Sequence, residues 1–225
     1  MRKNFDVKFI YFFIALLAVF LLGFVPGEDL GREFISSRIA TEAGIPNTVT
    51  AVYLNNRLYD TMFEVMVFSI SVTGALSFLG KKKKFLLKDT LVTDPATIII
   101  FKGCAFLSII CACALAAVGH LSPGGGFGAG VAFGTSMVIQ SLINDRNRIS
   151  LWLSEERAGF LEKSAWLIII VISLLVFIGL TPPAGYWGNI FSGGWIPWLN
   201  ILITVKVGLG TWALSLGFLD HKWIF

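Results

Sequence analysis

Hydrophobic residues along this chain fall in long blocks, with neither the alternation of a strand nor the stripe of an amphipathic helix. Apolar runs occupy about residues 9–25, 61–79, 96–118, 126–143, 164–180 and 198–219. Each is close to the ~17–25 residues that a helix needs to cross a hydrocarbon core about 30 Å thick. Lipid offers the backbone no hydrogen-bond partner, so a spanning segment must satisfy its own amides, as a helix does. The pattern predicts an all-α membrane protein with about six transmembrane helices. The fourth run is short and glycine-rich, and a broken or re-entrant segment is its alternative. Counting it as a span makes the flanking charges alternate correctly.

Composition agrees with the pattern. The 225 residues are 56% hydrophobic and 14% charged, against roughly 45–50% and 25% in soluble domains. Charge then gives orientation. With the N-terminus inside, the inner segments hold Arg2, Lys3, Lys8, Lys81, Lys82, Lys83, Lys84, Lys88, Arg146, Arg148, Arg157, Lys163 and Lys222, and the outer loops hold only Arg32, Arg38 and Arg57. Cytoplasmic loops carry the excess of Lys and Arg, so both termini are expected in the cytoplasm. The net charge of +4 reads as topology, and no nucleic-acid partner is implied. Lys81 to Lys84 read as a topology anchor, with contact to anionic membrane lipids as the alternative.

The first run follows a basic start, as a signal peptide would, but it is long and lacks a small-x-small cleavage site before Glu28, so a retained helix is expected. Cys104, Cys111 and Cys113 share one span without CxxC spacing and are expected to be buried small hydrophobes. Tyr186, Trp187, Trp195 and Trp198 near the last outer loop, and Trp152, Trp166 and Trp223 toward the inner face, read as interfacial anchors.

A basic linker, residues 81–95, divides a two-helix segment (1–80) from a four-helix part (96–225). The outer loop, residues 26–58, carries Glu28, Asp29, Glu33 and Glu42 with Phe34, Ile35 and Ile39 at helical spacing, which predicts a short amphipathic surface helix. Asp94-Pro95 reads as a helix start. No repeat relates the halves, which counts against a stand-alone secondary carrier.

Charges inside a span cost roughly 2.5–3.5 kcal/mol each and are functional candidates by default. Four stand out: Asp60, Glu64, Lys102 and Lys206. Asp60 and Glu64, four apart, share a face near the outer end of the second span, where carboxylates could exchange protons or transiently hold Na+. The alternative is that Asp60 caps the helix and Glu64 pairs with a neighbour. Lys102 could snorkel to the inner headgroups or relay protons. Lys206, expected two turns from the outer end of the last span with Asn200 and Thr204 nearby, could exchange protons or pair with a carboxylate such as Glu64. His120 opens the stretch His120 to Phe127, a short outer turn with Pro123, Gly124, Gly125 and Gly126, and titrates near neutrality. Gly126, Gly130 and Gly134 form a small-xxx-small face for a partner helix in this chain or another. No Walker, HExxH or GxSxG motif occurs, so no catalytic site, resident metal or bound cofactor is expected. With His120 and His221 the only histidines, haem ligation by this chain is not expected.

The stretch GHLSPGGGFGAGVAFG, together with IPWLNILITVKVGLG, resembles the B subunit of Mrp-type multisubunit Na+/H+ antiporters, over residues 90 to 225. The same module occurs in membrane-bound energy-converting hydrogenases and related sulfur-reducing complexes. The earlier NRLYDTMFEVMVFSISVTGAL resembles the C-terminal part of the A subunit, where the pattern is near FRGFDTLGE. Asp60, Thr61 and Glu64 match it; Phe63 and Arg57-Leu58-Tyr59 depart from it. The resemblance implies a fusion of two parts of one module in a prokaryotic cell membrane. It further implies sodium and proton transport, other membrane subunits as partners, and a peripheral iron–sulfur or NiFe redox arm. It implicates Asp60, Glu64, His120, Pro123 and Lys206 in the ion path. A purely architectural subunit is the alternative.

Overall fold

The computed structural model describes residues 32–79, 92, 94–143 and 155–220, and every regular element among them is a helix. The chain divides between Ser37 and Arg38 into two compact units, the second running from Arg38 to Phe225. The expected first span, residues 9–25, and most of the 81–95 linker lie outside the described residues.

The elements are α1 (Arg32–Ala43), a short α2 (Thr48–Ala51) running into a π-helical turn (Val52–Asn56), α3 (Leu58–Leu79), α4 (Pro95–Val118), α5 (Gly126–Ile143), α6 (Glu155–Phe177) and α7 (Ile196–Asp220). Five of these, α3 to α7, are long and apolar enough to cross a membrane. The expected glycine-rich fourth span is one unbroken helix, α5, with the bounds read from sequence.

Local chemistry explains the ends. Asp94 caps α4, its carboxylate accepting from the Thr97 amide (2.9 Å) and hydroxyl (2.6 Å), and Pro95 begins the helix, where its missing N–H costs nothing. This hydrogen bonding holds the Asp94 carboxyl below the usual carboxylate range. Gly44 ends α1 with φ +70°, and Ile45 N–H reaches back to the Ala40 carbonyl (3.2 Å), a glycine-dependent stop.

Helix α7 is the hub. It packs on α3, α4, α5 and α6, and 56% of its span is buried against 11% for α3 and for α4. The main core gathers Ile45, Leu54, Leu58, Val65, Ile169, Leu199, Ile203 and Val207; a second cluster holds Ala158, Leu209, Trp212 and Leu216. The α5–α7 contact is made by glycines. A Cβ on Gly126 would meet the Asn200 carbonyl at 2.7 Å, one on Gly130 the Val207 Cβ at 2.6 Å, and one on Gly134 the Thr211 Cβ at 2.9 Å. The partner helix for this face is therefore in the chain itself. Polar ties fix the register: Ser136 Oγ donates to the Ala105 carbonyl (2.8 Å) and Trp212 Nε1 to Ser141 Oγ (2.8 Å).

Two expectations need correction. Cys104, Cys111 and Cys113 are exposed, because α4 buries only its alanine edge, Ala105, Ala112 and Ala116. Helix α6 starts at Glu155 instead of 164; apolar counting stops at the first charge, whereas Glu, Arg and Lys propagate a helix well. The expected short helix of the outer loop forms as α1, with Ala40 and Ala43 buried and Ile39 packed against the main core.

Candidate functional site

Polar residues converge where α4 gives way to α5. Asn47 caps α2, its Oδ1 accepting from the Thr50 amide (3.2 Å). Its Nδ2 donates to the Gly119 (2.7 Å) and Ser122 (2.6 Å) carbonyls, and its own amide donates to the His120 carbonyl (3.2 Å). The Thr50 hydroxyl donates to the Gly119 carbonyl (2.8 Å) and lies 3.3 Å from the Tyr53 phenol oxygen. Two side chains thus satisfy the Gly119 carbonyl at the C-cap of α4. Tyr53 belongs to the π-helical turn, held by Thr61, whose hydroxyl donates to the Tyr53 carbonyl (2.8 Å). Burial raises the Tyr53 phenol, partly opposed by Thr50, and the Glu64 charge adds to the rise. Its hydroxyl occupies the space a side chain on Gly125 would need, and Gly125 has φ +155°, so glycine is demanded twice over.

The other wall is α7. Gly126 N–H donates to Asn200 Oδ1 (3.1 Å), and the Thr204 hydroxyl donates to the Asn200 carbonyl (2.7 Å) with the Gly126 carbonyl 3.3 Å away. His120 and Asn200 are fully buried. Burial pushes the imidazole below its ordinary value, although the backbone at Asn189 and Ile190 acts the other way. Neither ring nitrogen makes a hydrogen bond within bonding distance, nor does Asn200 Nδ2. Pro123 and Gly124 are exposed at the crest of the turn.

The charged candidates are not brought together here. Asp60 lies in the first turn of α3, paired with Arg57 and largely exposed, instead of capping the helix. Glu64 is exposed along α3, with neither ion pair nor hydrogen bond among the described residues. Lys102 is exposed on α4. Lys206 pairs with Glu162 of α6 and not with Glu64; its side chain is 3% exposed and that of Glu162 19%. Lys206 is the eleventh residue of α7, deeper than expected. Sequence reasoning missed Glu162, which precedes the apolar run by two residues, and missed Asn47, Thr50 and Tyr53. An Asn directly before the first residue of a helix is a cap signal that could have found α2.

Residues 96–213 match the family described as the domain related to the MnhB subunit of the Na+/H+ antiporter. The chain belongs to this family. A protein of Methanocaldococcus jannaschii described only as uncharacterized is 30% identical over 76% of this chain and 77% of its own length. Among solved structures, a chain of the membrane-bound sulfane sulfur reductase, an archaeal respiratory membrane complex, is similar with TM-score 0.65 and 27% identity, covering 98% of each chain. A chain of the Mrp complex from Dietzia sp. DQ12-45-1b matches with TM-score 0.61 and 17% identity, over 96% of this chain and 26% of that one, a likeness of fold alone. The MnhB-related region begins at the second residue of α4 and takes in the His120 turn, the α5–α7 glycine contact and the Lys206 pair.

Proposed function

We propose that this MnhB-related chain is a membrane subunit of a Mrp-type antiporter module or a related respiratory complex, and that it forms one wall of a sodium or proton path. The observation that carries the proposal is the outward placement of Glu64. A carboxylate in an apolar span is costly against lipid, and this one makes neither ion pair nor hydrogen bond among the described residues, its charge acting only on the Tyr53 phenol. A neighbouring subunit or a passing cation would supply what the described residues do not. The path then runs along the surface of α3, between subunits. The same reading puts both termini in the cytoplasm and makes the 81–95 linker the joint of two module parts. A peripheral redox arm, of hydrogenase or sulfur-reducing type, would complete the complex and would appear on affinity purification from the native membrane in mild detergent.

The test is Glu64→Gln in the assembled complex, with sodium-driven pH-gradient formation measured in inverted vesicles. Loss of sodium-coupled transport from a complex of normal subunit content is the expected result. Undiminished transport would leave the architectural reading, in which α3 only holds neighbours in register.

A further inference from the structure

Four buried polar atoms make no hydrogen bond of normal geometry among the described residues: His120 Nδ1 and Nε2, which face the backbone of Asn189 and Ile190 without closing on it, Ser192 Oγ and Asn200 Nδ2. Their residues are each 0% exposed. The backbone connects them. His120 approaches Asn189 and Ile190, Ser192 N–H closes a turn onto the Asn189 carbonyl (3.0 Å), and Asn200 holds Gly126, six residues past His120. A buried polar atom left unpaired loses its hydration without compensation, so four together point to a guest.

We infer that His120, Ser192 and Asn200 hold bound water, in a hydrated site beneath the loop that joins α6 to α7. The donor and acceptor inventory selects the guest. A neutral imidazole offers one N–H and one lone pair, the amide nitrogen only donates, and the hydroxyl does either. A molecule that both gives and accepts satisfies all of them, whereas a bare cation would be repelled by the amide and imidazole N–H groups. Gly193 and Gly194, which follow Ser192 in the chain, wall a crevice of about 250 Å³ that Glu42, Asn55 and Thr181 also line. That volume holds several waters. The inference stands apart from the role proposed for Glu64, since it concerns the interior of the chain and not its α3 surface.

X-ray hydroxyl-radical footprinting of the purified intact complex tests it, because radicals formed from bound water oxidise the side chain beside them. His120 should be labelled at a rate comparable with exposed Tyr186 and far above buried Trp212, and Ser192→Ala should slow labelling at His120 while leaving Tyr186 unchanged. Labelling of His120 no faster than that of Trp212 would overturn the site. A His120 rate unmoved by Ser192→Ala would overturn its being shared. Protection of His120 by sodium but not by choline would overturn water as the guest in favour of a cation. None of these readouts depends on ion coupling, so failure here and failure of Glu64→Gln are separable.

Discussion

Substituting alanine for Gly130 places a Cβ 2.6 Å from Val207 Cβ, 2.9 Å from its Cγ1 and 3.1 Å from the Thr204 carbonyl oxygen. Carbon pairs are at rest near 3.5–4.0 Å, so α5 and α7 must part by about 1 Å. The obstacle is a β-branched side chain close to its own backbone and 2% exposed, so no flexible tip swings away. Overpacking of this kind costs about 1–3 kcal/mol. Gly128, two residues away on the same helix, has nothing within 4 Å of its would-be Cβ. Alanine gains the same helix propensity at both sites, so the difference between the variants isolates the clash. At about 2–4 °C per kcal/mol for a chain of this size, Gly130→Ala should unfold roughly 2–12 °C below Gly128→Ala in detergent, by differential scanning fluorimetry. Equal midpoints would show that α5 and α7 do not meet through Gly130.

The buried pair makes a second prediction: Glu162→Gln leaves the Lys206 charge uncompensated and should cost about 3–5 kcal/mol, most of it recovered by adding Lys206→Met. A double-mutant cycle on thermal unfolding checks this, and simple additivity would refute the pairing. A third follows from His120, whose proton affinity burial lowers in the fold. Both states are neutral above the unfolded value near 6.5; below it the unfolded chain binds the extra proton, so stability falls as pH drops through the folded value. The slope is at most about 1.4 kcal/mol per pH unit for one proton. His120→Gln should flatten the unfolding midpoint between pH 7 and 5, and an unchanged profile would assign the acid sensitivity elsewhere.

Spans were legible because hydrocarbon imposes one demand, an unbroken apolar helix, and α3, α4, α5 and α7 begin or end within a few residues of their apolar runs. Asp94 was legible because its cap is local, contained in four residues. What failed was tertiary. Nothing in the sequence says that Lys206 turns toward α6 and not α3, because that depends on how α7 is rotated in the bundle. The outward cysteines failed for the same reason: apolar composition marks α4 as a span but not which face meets protein. The polar ties of Asn47 and Thr50 reach across about seventy residues of chain, a range over which no periodicity operates.

The charges in the spans divide by how each is accommodated, and that division bears on function. Lys206 is compensated inside the chain by Glu162, so its removal is first a stability event. Lys102 follows the start of α4 by seven residues, about 10 Å at 1.5 Å per residue, and a four-carbon stem returns most of that distance to the headgroups. Glu64 follows the start of α3 by six residues, a comparable depth of about 9 Å, but a two-carbon stem recovers far less of it. Asp60, one turn closer to the end, is already engaged by Arg57. Of the four, Glu64 is therefore the group whose accommodation must come from outside the described chain. A charge satisfied internally contributes to the fold, and a charge satisfied externally contributes to an interface. The proposed path is therefore sought along α3, which packs on α6 and α7, the two helices joined by the Lys206–Glu162 pair.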